Sequence, residues 1–355
     1  MKITRVEAWL QEMKLATPYT IARKTINTAQ NIFVRIETDG KLAGYGCGAP
    51  DEDVTGESIE LAFQTVHGPI ADALKRRDPL APTFLEKEIL QHCESAPAAL
   101  AAVDMALYDL QAKAAGWPLY RLLGGRPGGV PISVTIGIMP VTDAVEQARR
   151  FIRQGFRHLK IKGGQNVDED IERVMKIREA AGKQIWLAFD ANEGYSTDDA
   201  VRFARAVISA NLAFIEQPLP RNEAERYSQL KRSLPIPLML DESLLSPRDA
   251  FRFACSHTST FFNIKLMKCG GLLRAHFIDV IAQAAGIRTM IGCMDEAALA
   301  IAAGVHFVLA HPNVFHADLD GHLDLLDDPT KDVLQLREGI LYPNSAPGLG
   351  LEKDL

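Results

Sequence analysis

Five short apolar runs in the middle of the chain each end on a charged residue: HLKIK at Lys162, IWLAFD at Asp190, LAFIE at Glu216, PLMLD at Asp241 and FFNIK at Lys265. Three of the five ends are carboxylates. Three carboxylates buried together repel one another unless a cation neutralises them. Hard oxygen donors with room for water suit Mg2+, with Mn2+ as a substitute. The other two ends are lysines. A solvated lysine has a pKa of about 10.4 and is no base at neutral pH. A dication and a second ammonium nearby should lower it, and a fall to about 7 corresponds to some 4–5 kcal/mol of differential interaction. Lys160 shares a strand face with Lys162 and supplies that second charge. A cation beside two lysines has a specific use: it acidifies the α-proton of a bound carboxylate by stabilising the enediolate that deprotonation leaves. One lysine removes the proton, the other delivers one to the opposite face, and the α-carbon is inverted.

The elements that must position these residues follow from their spacing. The last four run ends are 26, 25 and 24 residues apart (190 to 216, 216 to 241, 241 to 265). That is the length of a strand, a loop and an amphipathic helix, so the beat is a repeated β/α unit. Parallel strands buried on both faces read as continuous apolar runs, and in a (β/α)8 barrel their C-terminal ends converge on one mouth. The sequence places eight strands at 132–137, 158–162, 185–190, 213–216, 237–241, 261–265, 288–292 and 314–318. Helices fill the gaps, with 142–154 and 198–209 each opening on a capping residue. The two lysines end the second and sixth strands and so face one another, with the acidic strands filling the arc between them.

Before the barrel, ITRVEAWL and NIFVRIETDG alternate like antiparallel strands, with a hairpin turn at Asp39-Gly40. Pro18 to Gln30 between them is a polar stretch containing Arg23 and Lys24. Residues 58 to 124 read as helical, AALAAVDMALYDLQAKAAG most strongly. The division is therefore an α+β capping domain at 1–125, a modified (β/α)8 barrel at 126–325 after the glycine-rich run Gly124–Gly129, and a segment at 326–355 returning to the cap. A chain of 355 residues accommodates that plan. A net charge of −6 argues against a nucleic-acid partner. No apolar stretch is long enough for a membrane span and the N-terminus lacks a signal-peptide core. Five scattered cysteines without a CxxC fit free thiols in a cytoplasmic protein.

KIK, FDAN, IEQP, LDES and NIKLMKCGG stand at the expected strand ends, and together they resemble the enolase superfamily, in its muconate lactonizing enzyme subgroup. The resemblance runs over essentially the whole chain. It implies Mg2+ on Asp190, Glu216 and Asp241, Lys162 and Lys265 as the acid/base pair with Lys160 in support, and Asn192 and Glu242 as groups behind the ligands. It also implies an oligomer. Lysine bases with Mg2+ are what this superfamily is known to use.

The subgroup includes cycloisomerases, o-succinylbenzoate synthases, N-acylamino acid racemases and dipeptide epimerases. His316-Ala317-Asp318-Leu319-Asp320-Gly321 discriminates among them. Asp318 and Asp320 share one face of the eighth strand, opposite the strand of Glu216, and would meet a cation about one residue away from a metal-held carboxylate. That is the layout of a dipeptide with a free α-ammonium, and the Asp-x-Asp resembles dipeptide epimerases. The competing reading, in which the pair only caps a turn before Gly321, leaves an N-acylamino acid racemase or a cycloisomerase. Thr135, Cys293, Asp295 and Glu296 are further candidates at the mouth. By the resemblance, Lys24 stands where an arginine usually binds an anionic side chain, and Ala297 where serine is more common. Asp51 and Asp53 in the second capping loop, with Asp295, favour a cationic side chain instead, unless that acidic loop is merely solvated. The seventh strand, RTMIG, carries no histidine base of the sugar-acid dehydratase kind. The expectation is a Mg2+-dependent dipeptide epimerase with a lean toward Lys- or Arg-containing dipeptides.

Overall fold

The computed structural model describes residues 1–20, 25–93 and 95–355. In the N-terminal part, β1 (Ile3–Thr20), β2 (Thr25–Thr38) and β3 (Ala43–Gly48) form an antiparallel sheet with β2 in the centre. The β1–β2 ladder continues to Thr20↔Thr25, well beyond the alternating stretches, after a register shift past Lys14. The added pairing is held by backbone bonds, which any side chain permits, so it leaves no trace in the hydrophobic pattern. Helices α1 (Glu52–Thr55), α2 (Ile59–Thr65), α3 (Ala71–Leu74), α4 (Pro82–Cys93), α5 (Pro97–Ala115) and α6 (Leu119–Leu122) follow, with a single π-turn at Val66–Ile70.

The alanine-rich α5 lies directly on β3. Gly44, Gly46 and Gly48 alternate on one strand face, and a Cβ on Gly46 would sit 1.9 Å from the Ala102 carbonyl oxygen. Ala98, Ala102 and Ala106, four residues apart, form the matching helix stripe. Two buried carboxylates of α5 tie it outward. Asp104 accepts from Leu272 N in the barrel at 2.6 Å, and Asp109 accepts from Tyr45 N at 2.9 Å and Leu349 N at 2.7 Å.

A short β4 (Val130–Pro131) leads into the barrel strands β5 (Ser133–Ile136), β6 (His158–Lys162), β7 (Trp186–Asp190), β8 (Ile215–Glu216), β9 (Leu238–Leu240), β10 (Phe261–Lys265), β11 (Arg288–Gly292) and β12 (Val314–Asp318). They form one parallel sheet in sequence order, and a bridge between Ile132 and Ala317 brings its two edges together. The expected boundaries hold to within about two residues, except that Asp241 lies just past β9 rather than on it.

Around the strands run α7 (Val141–Arg153), α8 (Val167–Ala181), α9 (Thr197–Ala206), α10 (Tyr227–Ser233), α11 (Pro247–Cys255), the short α12 (Leu266–Cys269), α13 (Leu272–Ala284) and α14 (Ala298–Ala310). Two expected caps differ. Helix α7 starts behind Pro140 with no side-chain cap, while Thr142 bonds its neighbour Asp143 instead. Helix α9 is capped by Ser196 onto Asp199 N, two residues earlier than expected.

Ala188, Phe214, Met239 and Met290 fill the barrel interior, with Trp186 and Phe261 packed against them, so only the C-terminal mouth is left for chemistry. After β12 the chain turns down to β13 (Leu334–Arg337) and β14 (Ile340–Pro343), and β14 pairs with β4. The tail then returns to the cap through Leu119 N to Gly348 O (2.8 Å) and Gly348 N to Trp117 O (2.9 Å). Among the described residues no helix is long and apolar enough to cross a membrane.

Candidate active site

Strand register builds the site. Lys162 pairs with Asp190 and Asp190 with Glu216, while Asp241 follows two residues after Met239, the partner of Glu216. The same side-chain parity therefore points all four into the mouth. Lys265 is level with Gly292, and Gly292 with Asp318. Gly292 is a glycine because a Cβ there would lie 2.6 Å from the Asn263 side-chain oxygen. That amide is needed where it is: Asn263 Nδ2 donates to Glu216 Oε1 at 2.6 Å.

Asp190, Glu216 and Asp241 are fully buried, and each offers an oxygen within 4.8 Å of the others. It is the one such cluster among the described residues. Glu216 Oε2 and Asp241 Oδ2 have no hydrogen bond, only lysine ammoniums at 2.9 and 2.8 Å. Three hard oxygen donors, two of them without a hydrogen bond, fit a divalent cation such as Mg2+. The turns behind them are specialised. Asn192 (φ 43°), Glu193 (φ 67°) and Gln217 (φ 36°) all take left-handed backbone conformations, a cost concentrated where the ligands must be aimed. Gln217 Oε1 accepts from Asp241 N at 3.0 Å and from Ser243 N at 3.2 Å, which fixes the Glu216 and Asp241 strand ends to one another.

Lysines surround the carboxylates. Lys162 donates to Asp190 Oδ2 at 2.8 Å and to Asn192 Oδ1 at 2.9 Å, and Asn192 in turn donates to Glu242 at 3.0 Å. Lys265 lies 2.8 Å from Asp241 Oδ2. Lys160 meets Asp190, Glu216 and Asp318 at 3.0, 2.9 and 2.8 Å. Burial alone would lower its pKa, but these carboxylates outweigh burial and hold it well above the ordinary lysine value. Three anions thus engage its charge. Lys265 is also held high, because Asp241 outweighs its burial. Asp190 is drawn down to about 2 as Lys160 and Lys162 overcome its burial.

A cavity of about 640 Å3 opens above this layer. Lys160, Lys162, Lys265, Asn192 and Glu242 line its base, and Thr135, Cys293, Asp318 and Asp320 one wall. Asp51 and Asp53 reach it from the cap and Asp295 from the β11 loop. Glu296 does not: it is buried outside the lining, its carboxylate turned back to accept from Met294 N at 2.8 Å. Lys24 lies outside the described residues. The two eighth-strand aspartates diverge. Asp318 accepts from Lys160 at 2.8 Å and Ser133 Oγ at 2.6 Å, whereas Asp320 accepts from Thr135 N at 2.7 Å, and burial together with Asp318 raises its pKa to about 7.

Several residues of the site lie outside the sequence expectation. Lys268 is buried and donates to Asp241 Oδ1, Asp241 O and Asn263 O. Its place inside an apolar run, three after Lys265, was a usable signal, as was the position of Asn263 two residues before Lys265. Ser133 could have been found by the same strand parity. Arg221, Glu193 and Asn31 carried no local signal. Asn31, on β2, donates to Asp295 O at 2.9 Å and accepts from Ala297 N at 2.8 Å, so it clamps the β11 loop to the cap.

Comparison with known proteins agrees with this geometry. Residues 3–124 match the mandelate racemase / muconate lactonizing enzyme N-terminal domain, and residues 143–355 the enolase C-terminal domain-like family. An L-Lys-D/L-Arg epimerase of Desulforapulum autotrophicum is 40% identical over 354 residues, which cover 99% of this chain and all of that one. A dipeptide epimerase of Methylococcus capsulatus, solved with Mg and the dipeptide L-Arg-D-Lys, superposes with a TM-score of 0.94 at 38% identity over 99% of both chains. One from Enterococcus faecalis, solved with Mg and L-Leu-L-Tyr, does so with a TM-score of 0.94 at 36% identity, again over 99% of both.

Proposed function

The chain belongs to the enolase superfamily, in its mandelate racemase / muconate lactonizing enzyme branch, and on that premise we propose that it is a dipeptide epimerase preferring cationic dipeptides. At the coarser level it is an isomerase, a Mg2+-dependent epimerase or racemase of amino-acid or dipeptide substrates. Asp190, Glu216 and Asp241 would hold the cation, for which Mn2+ is a chemically similar substitute. When bound, Mg2+ would supply the positive charge that acidifies the α-C–H of a substrate carboxylate.

The chain's own residues do the rest. Lys162 and Lys265 stand at the two ends of the arc of metal strands and line the same cavity. In one direction Lys162 Nζ accepts the α-proton of the C-terminal residue and Lys265 Nζ donates a proton to the other face; the roles exchange in reverse. Asn192 holds Lys162 on its side of the cavity, and Glu242 fixes the rotamer of Asn192. Among the described residues, Thr17, Asp51, Asp53 and Val54 of the capping part line the same cavity.

The observation that supports a dipeptide is Asp320. The charge of Asp318 is matched by Lys160, so Asp320 is the carboxylate of the pair that remains for a substrate ammonium. The lean to cationic side chains rests on Asp51, Asp53 and Asp295 around the same cavity, and on the similarity to the L-Lys-D/L-Arg epimerase and to the enzyme solved with L-Arg-D-Lys. The test is deuterium incorporation in D2O with Mg2+ over a library of L-Xaa-L-Xaa dipeptides, read by mass spectrometry. Deuterium is expected at the C-terminal residue, most with Lys or Arg present, and absent after EDTA. Incorporation into N-acylamino acids but not dipeptides would overturn the proposal.

A further inference from the structure

The capping segment that brings Asp51 and Asp53 to the cavity has little apolar packing of its own. Helix α1 is a single turn, capped by Asp51 onto Asp53 N and Val54 N, and it buries no residue. Apolar packing therefore does little to hold it over the mouth. A cation from the barrel does. In the loop after β8, Arg221 Nη1 donates to Val54 O, and Arg221 Nη2 to Asp53 O at 3.3 Å. The arginine is itself fixed from behind by Glu193, whose Oε1 accepts from Arg221 N at 2.6 Å and Nε at 3.0 Å, while Oε2 accepts from Nη2 at 2.9 Å.

We propose that Arg221 is a positioning residue that latches the acidic segment 51–55 over the barrel mouth, with Glu193 as the strut that aims it. The latch meets the segment through main-chain carbonyls and uses Glu193 as its salt partner. Carbonyls at the end of a helical turn are a favourable target for a guanidinium. Glu193 adopts its left-handed conformation in the turn after Asp190, and its N–H donates to Gln217 O at 2.8 Å, beside Glu216. The latch is thus built from the two loops that follow the strands carrying Asp190 and Glu216. A planar fork bridging Glu193 and two carbonyls is a task that lysine cannot reproduce.

This inference rests on the reading of the mouth as a dipeptide site, and two measurements separate the two. Hydrogen–deuterium exchange by mass spectrometry on the whole protein should show the 51–56 amides exchanging about tenfold faster in Arg221→Met and Arg221→Lys, with the barrel strands unchanged; one order of magnitude corresponds to the loss of about 1.4 kcal/mol. Epimerisation of L-Lys-L-Arg by the same variants should show KM rising about tenfold, well beyond any fall in kcat. Glu193→Gln should produce a smaller change of the same kind. Faster amide exchange spread over the whole barrel, or unchanged exchange at 51–56, would overturn the latch. Loss of activity on L-Lys-L-Arg in the unsubstituted protein would overturn the substrate reading and leave the amide-exchange result to judge the latch alone.

Discussion

Asp318 and Asp320 stand two residues apart on one face and do different work. Asp318 neutralises Lys160, while Asp320 faces the cavity from the Thr135 backbone with its pKa raised to about 7. A carboxyl raised this far is neutral below pH 7 and charged above it, so its pairing with an ammonium is lost as pH falls through about 7. The α-amino group of a dipeptide loses its own proton near pH 8 (about 7.7–8.0). For a dipeptide, kcat/KM should therefore be bell-shaped, with an acid limb near pH 7. Asp320→Asn should remove the acid limb and lower kcat/KM roughly 30-fold or more, the equivalent of about 2 kcal/mol for breaking a buried charge pair. An acid limb at the same pH in Asp320→Asn would assign it to another group. Charge pairing of this kind could not be read from the chain. Strand parity puts both aspartates on one face, but only the packed structure shows which of them Lys160 takes.

At the scale of elements, the sequence was most informative where one physical rule dominated. The apolar β/α beat fixed eight strands to within a residue or two, because strands buried on both faces admit little else. The acidic triad and both lysines followed from the same register. The hairpin extension, the cap of α7 and the latch by Arg221 were not legible, since each depends on backbone bonds or on partners far away in the chain. The β3–α5 contact lies between these cases. Gly44, Gly46 and Gly48 are visible as an alternating pattern, but only the helix lying on them gives the reason. Substituting Gly46 by Val should destabilise the protein by about 3 kcal/mol or more, because the added Cβ collides with helix backbone that cannot rotate away. Urea unfolding followed by circular dichroism measures this, and a change under 1 kcal/mol would show that α5 can move off the sheet.

For the whole molecule, the buried acidic cluster ties folding to the cation. Three carboxylates at 0% exposure are brought together by three different strands, and a ligand that binds only this folded arrangement stabilises it by mass action. At a concentration a hundredfold above its dissociation constant, Mg2+ should add about 2.7 kcal/mol. Thermal unfolding should therefore shift upward with Mg2+ and return with EDTA, and the shift should vanish in Asp241→Asn. An unshifted midpoint in the unsubstituted protein would contradict the assignment of the triad. The cap joins the same unit where Asn31 bonds the β11 loop, Asp104 bonds the start of α13 and Asp109 bonds the tail.

In the proposed reaction Lys162 and Lys265 serve opposite faces of one α-carbon. The most direct measurement is deuterium incorporation in D2O with Mg2+ from each diastereomer of one dipeptide, in Lys162→Ala and Lys265→Ala. Each variant should lose epimerisation by about a thousandfold, the middle of the range for removing a positioned acid/base group. Each should keep exchange from a single diastereomer, and the two variants should keep opposite ones. Full epimerisation in either variant, or retention of the same diastereomer by both, would contradict the two-base account.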